Sequence, residues 1–174
     1  MAVVRPHGFS KYNWRQVSEM RLQIALVEYL SRTFGVKKFN LFGHSGGGLV
    51  AIAVAQERPE LVATVGLASP KLAVRIHYAR YEGGVPSRYY RQYDPINHIR
   101  KLSPEVPVLI VYDLRDNVVK KGGVVPYTKK AEKLGLKVRL VLVTINAHPY
   151  HDTQWLLGRE LWKPENSEFR PREE

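Results

Sequence analysis

KFNLFGHSGGGLVAIAVAQE, residues Lys38–Glu57, is the stretch whose reading decides the fold. Its first residues belong to Val36–Phe42, which predicts a strand of about seven residues. Gly43–Gly48 then predicts a glycine-rich turn, and the alanine-rich Leu49–Glu57 a helix that stops near Pro59. Gly43-His44-Ser45-Gly46-Gly47 matches G-x-S-x-G in the required context of strand, sharp turn and helix. The pattern has a physical reason. A serine whose hydroxyl projects alone needs a strained backbone. Positions two residues away, Gly43 and Gly47, must then lack side chains. The helix after the turn aims its first N–H groups at the site, so Gly46 N–H is the expected donor to a developing oxyanion. A phosphate-binding loop would need G-x-x-x-x-G-K-[ST] or G-x-G-x-x-G, and neither is present.

Outward from this stretch, strands and helices alternate. A helical period runs from about Trp14 to Phe34, with Gly35 as its left-handed stop. Ala2–Arg5 is a short apolar run, the end of a strand, broken by Pro6 and Gly8. Ala63–Leu67 reads as a buried strand, and Val106–Tyr112 (VPVLIVY) is the strongest strand signal, with Pro107 tolerable at its start. Thr128–Leu134 predicts a helix, Val138–Val143 a strand, and Asp152–Leu161 a closing helix capped by Asp152. Such alternation predicts a doubly wound α/β domain in three layers, with a mostly parallel sheet. One domain over 1–162 is expected, followed by a polar tail, 163–174, that frays.

In such a sheet, chemistry gathers at the carboxyl ends of strands. A serine nucleophile needs a base and the base an orienter, in the chain order Ser, acid, His. Asp116 lies just past Val106–Tyr112 and is the preferred acid. Asp113, nearer the strand, is the competitor and could instead form an Asx turn. Two histidines follow the next strand. His151, next to the terminal helix, is the preferred base, and His148 the alternative or a pocket residue. His44, at the variable position of the motif, reads as a packing, turn or pocket residue, or as a further alternative base. His7, His77 and His98 read as surface. Trp14, Trp155 and Trp162 read as core or interface aromatics, while Tyr78, Tyr81, Tyr89 and Tyr90 could line a pocket or cover the core. His148, His151 and Asp152 could also be read as a metal site, which needs three ligands in suitable geometry, but Pro149 opposes a helical H-x-x-H, so neither a metal nor any other cofactor is expected.

The chain has 174 residues and no cysteine, which excludes disulfides and thiolate zinc sites. No apolar run of about 18 residues exists, so no spanning helix or membrane partner is expected. MAVVRPHGFS lacks the apolar stretch of a secretory signal, which leaves the cytoplasm as the default location. The net charge of +11 raises nucleic acid as a partner. The basic residues are spread, however, and the densest group (Lys120, Lys121, Lys129, Lys130, Lys133 and Lys137) reads as a solvated surface, which makes nucleic acid the weaker reading.

The motifs together resemble the α/β-hydrolase superfamily, and within it the prolyl oligopeptidase and dipeptidyl-peptidase-like serine hydrolases. The shared parts are the arginine-glycine turn at Val4–Ser10, the G-x-S-G-G turn, Tyr93-Asp94-Pro95-Ile96, the D-x-R-D loop Asp113–Asp116 and a late histidine before a helix. The resemblance implies an acyl-enzyme on Ser45 and an ester substrate, or an amide or peptide. It also implies that strands preceding the arginine-glycine turn are absent, leaving Gly46 as a lone oxyanion donor. An oligomer or a partner chain would then cover the exposed sheet edge. A catalytically impaired or purely binding descendant is the alternative.

Overall fold

The computed structural model describes residues 17–81, 83–84, 93–144 and 154–170. Four parallel strands, β1 (Phe39–His44), β2 (Val62–Ala68), β3 (Val108–Asp113) and β4 (Val138–Val143), form one sheet in the order β1-β2-β3-β4. The connections are helical: α1 (Val17–Phe34) precedes β1, α2 (Gly46–Glu57) links β1 to β2, and α3 (Val74–Tyr81) follows β2. Next come α4 (Val125–Lys133), between β3 and β4, and α5 (Gln154–Leu161).

Two apolar layers sandwich the sheet. On one face Val27 of α1, Ile52 and Ala55 of α2, and Tyr127 and Ala131 of α4 pack against Val65, Leu67, Val108 and Ile110. On the other, Leu156, Leu157 and Leu161 of α5 and Phe169 pack against Ala68, Leu109 and Val111. Every residue of β2 and β3 is buried, as expected of central parallel strands. Among the described residues β1 lies at an edge of the sheet, is only partly buried, and leaves Phe42 half exposed. Among the described residues no helix is long and apolar enough to cross a membrane.

Several boundaries differ from those read in the sequence. Gly35 ends α1 at φ 69°, as expected, but β1 then begins at Phe39 and runs on through Gly43 and His44. The pairing of Gly43 with Leu67 and of His44 with Ala68 holds that extension. The turn shrinks to Ser45, and α2 starts at once with three glycines. Intrinsic propensity opposes glycine in a helix, yet tertiary packing overrides it here. β3 starts at Val108 because Pro107 has no N–H. Its carbonyl still takes the N–H of Val65 at 3.0 Å. α4 begins three residues early, with Pro126 in its first turn, where a missing N–H costs nothing.

The expectation of a frayed tail fails for its described part. Residues Pro164–Phe169 form a 3-10 turn, with Phe169 2% exposed. Thr64 Oγ1 donates to Phe169 O at 2.9 Å and Asn166 Nδ2 to Glu160 O at 2.8 Å, so buried hydrogen bonds outweigh a polar composition. Ala2–Arg5 and Asp152 lie outside the described residues.

Candidate active site

Ser45 sits alone between β1 and α2 at φ 53°, ψ −117°. A non-glycine residue in this region stores about 1–3 kcal/mol, which the surroundings must impose. They do so from both sides. Ser45 N–H donates to Ala68 O at 3.0 Å, tying the turn to the end of β2, and Gly48 N–H donates to Ser45 O at 3.1 Å. The serine makes no side-chain cap to the helix, so capping does not consume its hydroxyl.

The glycines divide differently from expectation. A Cβ on Gly43 would stand 2.4 Å from Gly47 O and 2.6 Å from Gly48 Cα, both backbone. No substituent fits there. A Cβ on Gly48 would meet Pro70 Cβ at 2.7 Å. Gly47 has open space around it. The steric need read from the motif therefore holds at Gly43 and fails at Gly47, and it falls instead on Gly48, because Pro70 crosses over the first turn of α2. Gly46, the first residue of α2, is buried, and its N–H has no intrahelical acceptor by position.

Two carboxylates stand at the end of β3. Asp113, its last residue, accepts Arg115 N–H at 3.0 Å, the Asx turn the sequence allowed. Asp116 Oδ1 accepts the N–H groups of Val118 and Val119, each at 2.8 Å. Both residues are 5% exposed. The two bonds on one oxygen fix how the Asp116 carboxylate points. Tyr112 OH clamps the same loop by donating to Val119 O at 2.7 Å. Asp116 also borders a cleft of about 270 Å³ with Tyr112, Leu114, Arg115, Asn117, Lys120 and Lys121.

His44 pairs in register with Ala68, and Ala68 with Val111, so Ser45 stands two strand spacings from the end of β3. That is about 10 Å, a gap that one imidazole and its hydrogen bonds bridge. His148 and His151 lie outside the described residues. His44 borders a different cleft, of about 440 Å³, between β1 and α5 with Phe42, Leu157, Leu161 and Trp162. The structure does not bring it to the cleft of Asp116.

Other expectations need correction. His77 is fully buried rather than on the surface, with its ring edge-on to Tyr78 at 5.4 Å. α3 folds back over the β3–α4 connection, which encloses it. His98 is partly exposed and stacks on Tyr93 at 4.2 Å. Tyr78 covers core, packed with Met20, Leu49 and Tyr93. Trp162 is 69% exposed, so it is not a core residue. His7, Trp14, Tyr89 and Tyr90, and the side chains of Tyr81 and Trp155, lie outside the described residues. Asp94 accepts the N–H groups of Val74 and Arg75 and so starts α3. Burial holds its carboxyl above the ordinary carboxylate range despite those two bonds. Among the described residues no group of three His, Asp or Glu is placed to hold a metal.

Sequence reasoning missed Ser69. It directly follows β2, takes φ 42°, and buries an Oγ without a hydrogen-bond partner among the described residues. The dipeptide Ser69-Pro70 after an apolar run was the available signal for a turn.

Comparison with known proteins bears on the fold that carries these residues. Among curated proteins no sequence match is found. Among solved structures, an esterase of Pyrococcus furiosus is 22% identical with a TM-score of 0.66, over 95% of this chain and 66% of its own. The acylaminoacyl peptidase of Pyrococcus horikoshii is 13% identical with a TM-score of 0.63, over 79% of this chain and 24% of its own. Dipeptidyl peptidase 4 of Porphyromonas gingivalis is 14% identical with a TM-score of 0.63, over 84% of this chain and 22% of its own. The chain thus spans about a quarter of each peptidase and just under two thirds of the esterase. The family model of the alpha/beta hydrolase fold matches residues 4–94, just over half of the sequence, and the chain belongs to that family.

Proposed function

We propose that this protein is a serine hydrolase that cleaves carboxylic esters through an acyl-enzyme on Ser45. The observation that carries the reading is the left-handed Ser45, uncapped and partly exposed, at the head of α2. Strain of this kind persists where the surroundings impose it and clusters at active sites, and here it is joined to a helix N-terminus and an open approach. Neighbouring folds that include an esterase and two peptidases favour the same class.

In this mechanism an imidazole takes the Ser45 proton as Oγ attacks the ester carbonyl, and the electron pair of the carbonyl moves to its oxygen. Gly46 N–H and the positive end of α2 stabilise that oxyanion. The tetrahedral intermediate collapses, the alcohol leaves with the imidazole's proton, and the acyl group stays on Ser45. Water, deprotonated by the same imidazole, then releases the acid. His151 supplies the imidazole, with His148 the alternative. Asp116, oriented by Val118 and Val119, fixes its tautomer.

The test is a burst experiment with 4-nitrophenyl acetate on the wild-type chain and the His151→Ala and His148→Ala variants. A burst of one nitrophenol per chain, lost in His151→Ala and kept in His148→Ala, is expected. Loss only in His148→Ala reassigns the base. A folded wild-type chain that releases no nitrophenol, in a burst or in steady state, favours the impaired or purely binding reading.

A further inference from the structure

Three cations converge on the cleft that holds the candidate acid. Arg115, Lys120 and Lys121 line it, and among the described lining residues Asp116 is the one carboxylate. The six lysines that the sequence presents as one solvated group therefore divide in two. Lys129 and Lys133 stand exposed on α4, Lys130 Nζ donates to Ile96 O at 2.9 Å, and Lys137 pairs with Glu105 at 3.3 Å. Lys120 and Lys121 instead face the cleft, and neither they nor Arg115 forms an ion pair among the described residues. Two carboxylates at the end of β3, Asp113 and Asp116, stand against the three cations, and each already has its Oδ1 engaged by backbone N–H groups. An excess of cations around a concave wall concentrates potential there and draws in anions.

We infer that this cleft receives an anionic group of the substrate, so that the preferred ester carries a carboxylate or phosphate remote from the bond that is cleaved. This rests on the reading of Ser45 as nucleophile. The spacing suits it: the end of β3 lies about 10 Å from Ser45, which a diacid chain of suberate length spans. Arg115 offers a planar fork to such an anion, and the lysines offer point charges.

The experiment compares kcat/KM for 4-nitrophenyl butyrate with that for the 4-nitrophenyl monoesters of succinate, adipate and suberate, and for 4-acetoxybenzoate, which carries its anion on the leaving group. About ten-fold selectivity for an anionic over the neutral ester is expected at low salt, a few-fold per cation. It should shrink with added salt and fall to parity in Arg115→Gln/Lys120→Gln/Lys121→Gln. Lys129→Gln/Lys133→Gln, which removes the same kind of charge from α4, should retain it. Equal rates on every ester, or selectivity that survives the triple change, overturn the inference while leaving the Ser45 reading intact. If no ester is turned over, the Ser45 reading fails, and calorimetric titration with suberate then decides. Binding lost in the triple variant supports the anion site, and no binding refutes it. Salt-sensitive binding of a DNA oligonucleotide without suberate binding would also refute it.

Discussion

Ser45 and Ser69 occupy the same place on neighbouring strands. Each directly follows the last residue of a parallel strand, each is left-handed, at φ 53° and 42°, and each donates its N–H to the next strand, Ala68 O at 3.0 Å and Val111 O at 2.9 Å. The two chain paths diverge immediately afterwards. After Ser45 the chain enters a twelve-residue helix at once, with Gly43 and Gly48 clearing space, and the serine stays partly exposed. After Ser69 comes Pro70, the next helix waits until Val74, and the hydroxyl is wholly buried. The strained backbone alone therefore does not make a reactive serine. The combination of strain, a helix N-terminus and an open approach does.

The largest expected effect separates the two serines by activity. Ser45→Ala should lower ester turnover by about 10⁴-fold or more, whereas Ser69→Ala should change it little. The same pair should separate in the opposite sense by stability. Ser69→Ala removes a buried hydroxyl that lacks a partner among the described residues and should raise the free energy of unfolding by about 1 kcal/mol. Urea unfolding of the variants checks this, and a destabilised Ser69→Ala would mean that its hydroxyl has a partner after all.

The glycines give a second contrast. Gly43→Ala drives a Cβ into the backbone of α2 and should cost about 3 kcal/mol or more, or prevent folding. Gly47→Ala, in open space on the first turn, should be neutral or stabilise by up to about 1 kcal/mol. Equal costs at the two positions would break the steric account of the turn. A third contrast sets Asp116 against Asp113. Asp116→Asn should lower kcat by about 10⁴-fold by favouring the wrong imidazole tautomer. Asp113→Asn, which can still accept Arg115 N–H, should cost less than about ten-fold.

Much of this architecture is legible in the residues. The buried runs of β2 and β3 announce central parallel strands, and Gly35 marks the end of α1 because only a left-handed residue fits there. The turn at Ser45 is legible because the motif carries its own steric logic. Gly48 is not, since its constraint comes from Pro70, 22 residues away in sequence and set beside it only by the fold. The tail is not either. Its polar composition hides Phe169, which closes the α5 layer, and Asn166, which bonds Glu160 O. Nor could periodicity split the lysines, because α4 and the loop before it present them to different surroundings. Long-range placement, rather than local pattern, decides each of these.

The most direct measurement is mass-spectrometric mapping of the adduct formed when the folded chain meets a fluorophosphonate probe. The account predicts a single adduct on Ser45, absent from Ser45→Ala and unaffected by Ser69→Ala. A folded chain that stays unmodified, or that carries the adduct on another residue, would contradict it.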